Sequence, residues 1–304
     1  MSKGLAEARD FYEQYGKQMI ADNFADYADR IAVGLAGHGS ECFGFDDELS
    51  RDHDFGIGFC MWLTDEDYDR IGFRLSRAYT KLVRAHGGGY CLNESQFVGR
   101  GVHTTTEFYT FYVGAEVPVT AKQWLALSDS YLAEATNGQV FCDTYGDFSD
   151  IRAYLLNRPE DVRLKKLASA LFGMAQSGQY NLPRCLARNE RVAAFGALSR
   201  FVESTMSAVY LINNAYMPYY KWAHRGLAAL PVLGAQVGDM LTALVGCPLD
   251  ESPALAESVC AVVADGLRSV VGLTERMETF LEPYAYCIND QIHDVDLRTM
   301  SITL

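Results

Sequence analysis

The sequence predicts an α+β N-terminal domain, a small mixed sheet with flanking helices, followed by an α-helical bundle domain. Three observations carry this. Short β-like apolar runs alternate with helical periods over the first half of the chain. The β signals then stop at about residue 148. The segments that follow keep a helical period, punctuated by prolines 159, 183, 218, 231, 248, 253 and 283. The expected domains are therefore 1–147 and 148–304, an arrangement of layers in which each half can bury its own core.

The elements follow in order. Ala6, Phe11, Tyr12, Tyr15, Met19, Phe24 and Tyr27 recur near helical spacing, predicting a helix over about 5–30. Residues 31–35 read as a strand. Ile57, Phe59, Met61 and Leu63 alternate as a second strand, and 65–85 reads as a helix stopped by Gly87-Gly88-Gly89. A further strand is expected within 90–103. Thr104 and Glu107 form a capping-box pattern for a short aromatic helix ending at Gly114. A helix over 124–133, an Asn137-Gly138 turn and a strand at 139–142 complete the first half. Helical periods then cover 152–156, 162–175, 192–213, 219–230, 235–244, 255–273 and 275–281.

The segment with most chemical content is Gly37-His38-Gly39-Ser40, followed by Asp52-His53-Asp54. Backbone N–H groups in a glycine turn can approach phosphates without adding negative charge. Two carboxylates at alternate positions of an extended segment point the same way, with His53 opposite. Such a pair suits Mg²⁺, whose remaining ligands are water and phosphate oxygens. Asp46, Asp47 and Glu48 read as a solvated acidic turn, which Arg51 either neutralises or leaves to reach a phosphate.

In this wording, Gly-Ser-x-x-x-Gly-x-Asp-Asp-Glu-x-Ser-x-Asp-His-Asp-Phe, the chain resembles the DNA polymerase β-type nucleotidyltransferase superfamily and its DUF4037-like branch. Gly138–Asp143 of the chain, Ile151-Arg152, the run from Pro159 to Lys166 and Pro218-Tyr219-Tyr220-Lys221-Trp222 are similar to that branch as well. The likeness covers about residues 35 to 230. It implies a nucleotidyltransferase domain with Asp52 and Asp54 as metal ligands and catalytic acids. Gly39 and Ser40 would face the triphosphate, and the helical domain would close over the nucleotide and acceptor site. It also implies a third carboxylate on the next core strand, near Gly101, which has no side chain. Glu107 is the candidate we carry forward, although it doubles as the capping-box acid; Glu94 and Asp143 are the other acids in range. Lys221, with Arg225 beyond it, either snorkels from a core face or contacts a phosphate. Lys165 and Lys166 read as one solvated helix face, with a phosphate contact as the alternative. Glu190 is a minor candidate for an acceptor-side base.

Composition narrows the partners. The net charge of −13 argues against nucleic acid as the partner, since such binding rests on phosphate neutralisation. Eight scattered cysteines with no Cys-x-x-Cys argue against a disulfide scaffold and for reduced thiols in the cytoplasm. No signal peptide or membrane span is expected. No Walker phosphate loop, His-Glu-x-x-His helix, nucleophile elbow or dinucleotide fingerprint occurs. The expectation is a Mg²⁺-dependent enzyme that moves a nucleoside monophosphate, AMP from ATP, onto a hydroxyl of a small-molecule or protein acceptor. The alternative is a nucleotide-binding regulatory module of the same fold with weakened catalysis. The sequence sets neither the acceptor nor the oligomeric state.

Overall fold

The computed structural model describes residues 3–47, 57–86, 99–114, 117–270 and 279–304. The chain forms two compact units, Met1–Pro118 with Ser130–Asn157, and Val119–Asp129 with Arg158–Leu304. It therefore passes between them three times, where the sequence suggested one boundary at 147/148.

In the first unit, α1 (Lys3–Phe11), a π-helical turn (Tyr12–Gly16) and α2 (Lys17–Asn23) occupy most of the expected first helix. The helix stops at Asn23, whose side-chain amide donates back to the Met19 carbonyl at 2.8 Å, and Phe24 leaves helical space with φ −140°. A 3₁₀ stretch (Ala25–Arg30) leads into β1 (Ala32–Leu35), and α3 (Ser40–Phe43) follows directly. Next come β2 (Cys60–Leu63), α4 (Asp65–Asp67), a second π turn (Tyr68–Gly72) and α5 (Phe73–His86). The strand expected within 90–103 is β3 (Gly101–Thr104), followed by α6 (Thr105–Val113).

The expected helix over 124–133 is two helices, α7 (Ala121–Ala126) and α8 (Asp129–Thr136), separated at Leu127 by extended backbone (ψ 137°). The break leaves the carboxylate of Asp129, itself part of the second unit, in contact with Arg158 and Lys166 of the same unit. β4 (Gln139–Cys142) and α9 (Asp147–Leu156) close the first unit.

The four strands form one mixed sheet in the order β3-β2-β1-β4. β1 is antiparallel to both β2 and β4, while β2 and β3 are parallel. A parallel neighbour requires a crossover, and α5 supplies it. One sheet face carries Val33, Met61, Leu63 and Val102 against Phe11, Met19, Ile20, Leu75, Tyr79 and Val83. The other places Trp62 flat on Phe148 (ring centroids 3.9 Å apart) and edge-on to Phe108. Helices on both faces explain why β1 and β2 are wholly buried and lack the apolar/polar alternation of a half-exposed strand.

The second unit is helical throughout its described residues. α10 (Glu160–Met174) runs into a π turn (Ala175–Asn181) and α11 (Leu182–Ala187). α12 (Arg191–Ile212), α13 (Tyr220–Leu227), α14 (Gly234–Gly246) and α15 (Ser252–Val270) follow. α16 (Glu282–Asp290) and α17 (Val295–Thr299) come last. Of the helix expected over 275–281, residues 275–278 lie outside the described residues. Pro183 and Pro283 sit in the first turn of their helices, where the missing N–H is not needed, so they begin helices instead of ending them. α10 is the core element, with Val162, Leu167, Ala168, Leu171 and Met174 fully buried, packed against α12 and α16. No described helix is long and apolar enough to cross a membrane.

Candidate active site

The Gly-Ser turn lies where β1 leaves the sheet. Gly37 and Gly39 have φ of 104° and 119°, a backbone region that L-residues rarely enter. The turn is fastened to the start of β4 from the far side of the sequence. Gly37 N–H donates to Asn137 Oδ1, and Asn137 Nδ2 donates back to the Gly37 carbonyl, both at 2.8 Å. Gly138 N–H donates to the Cys42 carbonyl, and Arg152 donates to the Asn137 carbonyl. Gly138 is irreplaceable in this arrangement: with φ 64°, a Cβ there would lie 1.9 Å from the Leu35 carbonyl oxygen.

Ser40 is nearly buried, and Glu41 is folded back over Gly39, so close that a Cβ on Gly39 would meet its Oε2 at 2.6 Å. The Glu41 carboxylate accepts from Arg100 Nη2 at 2.9 Å, while Arg100 Nε donates to the Gly58 carbonyl. Burial works most strongly against the Arg100 charge, but Glu41 together with the smaller contributions of Cys42, Cys60 and Tyr79 raises the arginine pKa. The result is a buried, compensated ion pair under the turn. Burial also pushes the Cys60 thiol up to about 11 and the Cys42 thiol well above its ordinary value, so neither is a thiolate nucleophile at neutral pH.

On the same turn His38 is half exposed. Its Nδ1 lies 2.5 Å from Oε2 of Glu134, a nearly buried acid on α8. The ring is held edge-on by Phe111 and Tyr112 of α6, at centroid distances of 5.3 and 5.6 Å. Burial first, then Glu134, raises the Tyr112 phenol, which stays protonated.

The sequence-derived candidates fall as follows. Asp52 and Asp54 lie outside the described residues, as do Glu48, Arg51, His53 and Glu94. Gly39 and Ser40 form the turn. β3 pairs Gly101 with Cys60, and the strand Gly101–Thr104 contains no acid, so the third carboxylate is not on it. Glu107 is committed to the capping box of α6: its N–H donates to Thr104 Oγ1 at 2.9 Å and its Oε2 accepts from Thr104 N–H at 3.1 Å. Asp143 accepts from the N–H groups of Gly146 and Ser149 at the start of α9. Glu190 is the exposed residue preceding α12. Lys221 is exposed on α13, its ammonium 4.9 Å from the Trp222 ring, so it does not snorkel from the core.

The expectation of a solvated face at Lys165 and Lys166 is corrected. Lys165 is wholly buried and donates to Asn289 Oδ1 and the Met300 carbonyl, both at 2.8 Å. Lys166 is mostly buried and donates to Asp129 Oδ1 and the Leu127 carbonyl. A pair of adjacent lysines can serve two neighbours because successive helical residues point about 100° apart. Reading the sequence did not single out Glu41, Arg100, His38 or Glu134 as site residues. Only His38 and Glu41 lay within a noticed motif; their partners are 96 and 59 residues away, respectively.

The second unit carries two adjoining cavities of about 530 and 450 Å³ between α10 and α12. They share Phe172, Gly173, Glu203, Ser204 and Thr303 in their walls.

The family model that matches the chain is the domain of unknown function DUF4037, over residues 124–223. That stretch runs from α7 to α13 and includes the Pro159–Lys166 run and Lys221, but not the Gly-Ser turn. Searches of curated proteins and of solved structures found no match.

Proposed function

We propose that the chain is a Mg²⁺-dependent nucleotidyltransferase that moves AMP from ATP onto an acceptor hydroxyl and releases pyrophosphate. The observation that supports this reading is topological. β1 and β2 are antiparallel neighbours with Gly34 opposite Cys60. The Gly-Ser turn after β1 and residues 57–59 before β2 therefore belong to one end of the sheet. Asp52 and Asp54 precede Cys60 by eight and six residues.

The donor set suits Mg²⁺, which takes hard carboxylate oxygens. Glu41 and Glu134, described acids near the turn, already face Arg100 and His38, and the ligands in this reading are Asp52 and Asp54. Among the described residues no group of three His, Cys, Asp or Glu side chains is arranged to hold a metal. When bound, the ion would neutralise charge on the phosphates and leaving group. The chain's own part is positioning: turn amides on the phosphates, with Arg100 cancelling Glu41 beneath them. Lys221, in the second unit, takes no step in this mechanism. The acceptor is a hydroxylated small molecule or a protein side chain, in a cytoplasmic setting.

The test is thermal stabilisation by ATP, GTP, CTP and UTP with and without Mg²⁺. A ligand at a hundred times its Kd stabilises the native state by about 2.7 kcal/mol. A Mg²⁺-dependent rise in Tm with one nucleotide, lost in Asp52→Asn/Asp54→Asn, is the expected result. No rise with any nucleotide sinks the reading and leaves an interaction protein. A second reading, a nucleotide-binding regulatory module without turnover, is favoured by the acid-free β3 and the engaged Glu107. A Tm shift with no pyrophosphate release under an acceptor screen would select it.

A further inference from the structure

If the chain transfers nucleotidyl groups, something must take the proton from the attacking hydroxyl, and β3 holds no acid to do it. We infer that His38 is that general base, with Glu134 as its positioning residue; this rests on the function proposed above. The other described groups weighed for this role are spoken for. Glu41 is paired with Arg100, the Cys42 and Cys60 thiols and the Tyr112 phenol hold their protons, and Glu107 caps α6. His38 differs from all of them in being half exposed and on the turn itself, with Nδ1 the ring nitrogen beside Glu134.

The geometry sets the tautomer. With the Glu134 carboxylate 2.5 Å from Nδ1, the tautomer assigned to the base carries its proton on Nδ1 and its lone pair on Nε2. Edge contacts from Phe111 and Tyr112 fix the ring plane, so the base is oriented before substrate arrives. In the step itself the acceptor O–H proton passes to Nε2 as the oxygen bonds to the α-phosphorus. The bond from that phosphorus to the bridging oxygen breaks, its electron pair leaving on pyrophosphate. His38 then returns the proton to solvent, and Glu134 stabilises the transient imidazolium without accepting the proton.

Three measurements on the whole chain test this. Thermal shift with MgATP should be retained in His38→Gln and Glu134→Gln, since neither residue is asked to hold the nucleotide. Carbethoxylation of His38 by diethyl pyrocarbonate, followed by peptide mass spectrometry, should slow about five-fold or more under saturating MgATP, because the base must face the α-phosphate. Pyrophosphate release from MgATP, with glycerol as the probe hydroxyl, should fall about a hundred-fold in His38→Gln. In Glu134→Gln it should fall about ten-fold through kcat, with KM for ATP unchanged and partial recovery in Glu134→Asp. His38 modified at the same rate with MgATP bound, or His38→Gln turning over like wild type, overturns the inference while leaving nucleotide binding intact. Absence of any MgATP shift in the wild type overturns the functional reading, and this base with it.

Discussion

The two units use charge in opposite ways. At the turn of the first unit described charged groups are paired two by two, Glu41 with Arg100 and Glu134 with His38, and one member of the second pair, His38, is half exposed at the surface. On α10 of the second unit the charged groups of the Pro159–Lys166 run are spent on holding the bundle together. Arg163 grips Glu160 with two nitrogens and donates to the Leu211 carbonyl. Asp161 accepts from the N–H groups of His293 and Asp294, and Lys165 holds Asn289 and Met300. Arg158, just upstream, binds Asp129, Asn214 and Ala215 and lies against the Tyr216 ring. A motif rich in charge is thus a reason to look for partners before assigning chemistry. Where every donor ends on a backbone carbonyl or a buried side chain, the motif is structural; where one is left open, it can react.

The sharpest way to break this contrast is Arg158→Ala. The side chain is about 1% exposed and its removal leaves Asp129 with Lys166 alone and two acceptors unpaired. Breaking a buried pair in this way costs about 4 kcal/mol. Urea unfolding followed through Trp124 and Trp222 should show it, while the MgATP shift of the residual folded protein stays as in wild type. Loss of that shift at full foldedness would mean that the second unit's charges do more than hold it. Gly138→Ala is the counterpart in the first unit. The added methyl collides with the Leu35 carbonyl and forces apart the turn and β4, a cost of about 3 kcal/mol. Here stability and nucleotide binding should fall together, because Gly138 fastens the turn to which the phosphates are assigned.

Lys165→Met comes next, at about 2 kcal/mol for two carbonyl acceptors left without a donor. It has a pH signature that the other variants lack. Burial lowers the Lys165 pKa in the folded chain. Between the folded and unfolded values the unfolded chain then binds more protons, and stability rises with pH where that holds. The wild type should therefore gain on Lys165→Met as pH is raised above neutral towards the ordinary lysine value of about 10.4. A constant difference across that range would mean that the hydrogen bonds to Asn289 and Met300 fully offset the burial.

The strands at 32–35 and 139–142, the capping box at Thr104 and most helices of the second unit were legible because their signals are local: a short apolar run, a four-residue pattern, a period of 3.6. The break between α7 and α8 was not, because helical propensity there yields to a tertiary demand, the delivery of Asp129 to Arg158 and Lys166. The burial of Lys165 was hidden for the same reason. Its partners lie 124 and 135 residues away, and nothing in Lys-Lys distinguishes a pair of anchors from a solvated face. At the candidate site the glycine turn was legible from its glycines, while its positive φ angles came from the structure. Glu41–Arg100 and His38–Glu134 were not, since each joins elements far apart in the chain, and local spacing carries no trace of such pairs.

At Glu107 the smallest effect on stability accompanies the widest gap between two expected rates. As a capping residue its carboxylate answers one backbone N–H at the start of α6. Glu107→Gln retains an acceptor oxygen at the same place and should change stability by only a few tenths of a kcal/mol, and Glu107→Ala by about 1 kcal/mol. As the third acid of a nucleotidyl-transfer site, the same residue would have to carry negative charge on a metal or take a proton. Glu107→Gln, which keeps the cap but removes the charge, would then cost two to four orders of magnitude in turnover, on the order of a lost general base. The neutral amide separates the two roles because the cap needs an oxygen and the site needs a charge. With β3 acid-free and His38 open on the turn, we expect Glu107→Gln to retain wild-type pyrophosphate release and His38→Gln to lose it. The reverse pattern would return catalysis to the carboxylate and leave the His38–Glu134 pair as one more structural contact, like those on α10.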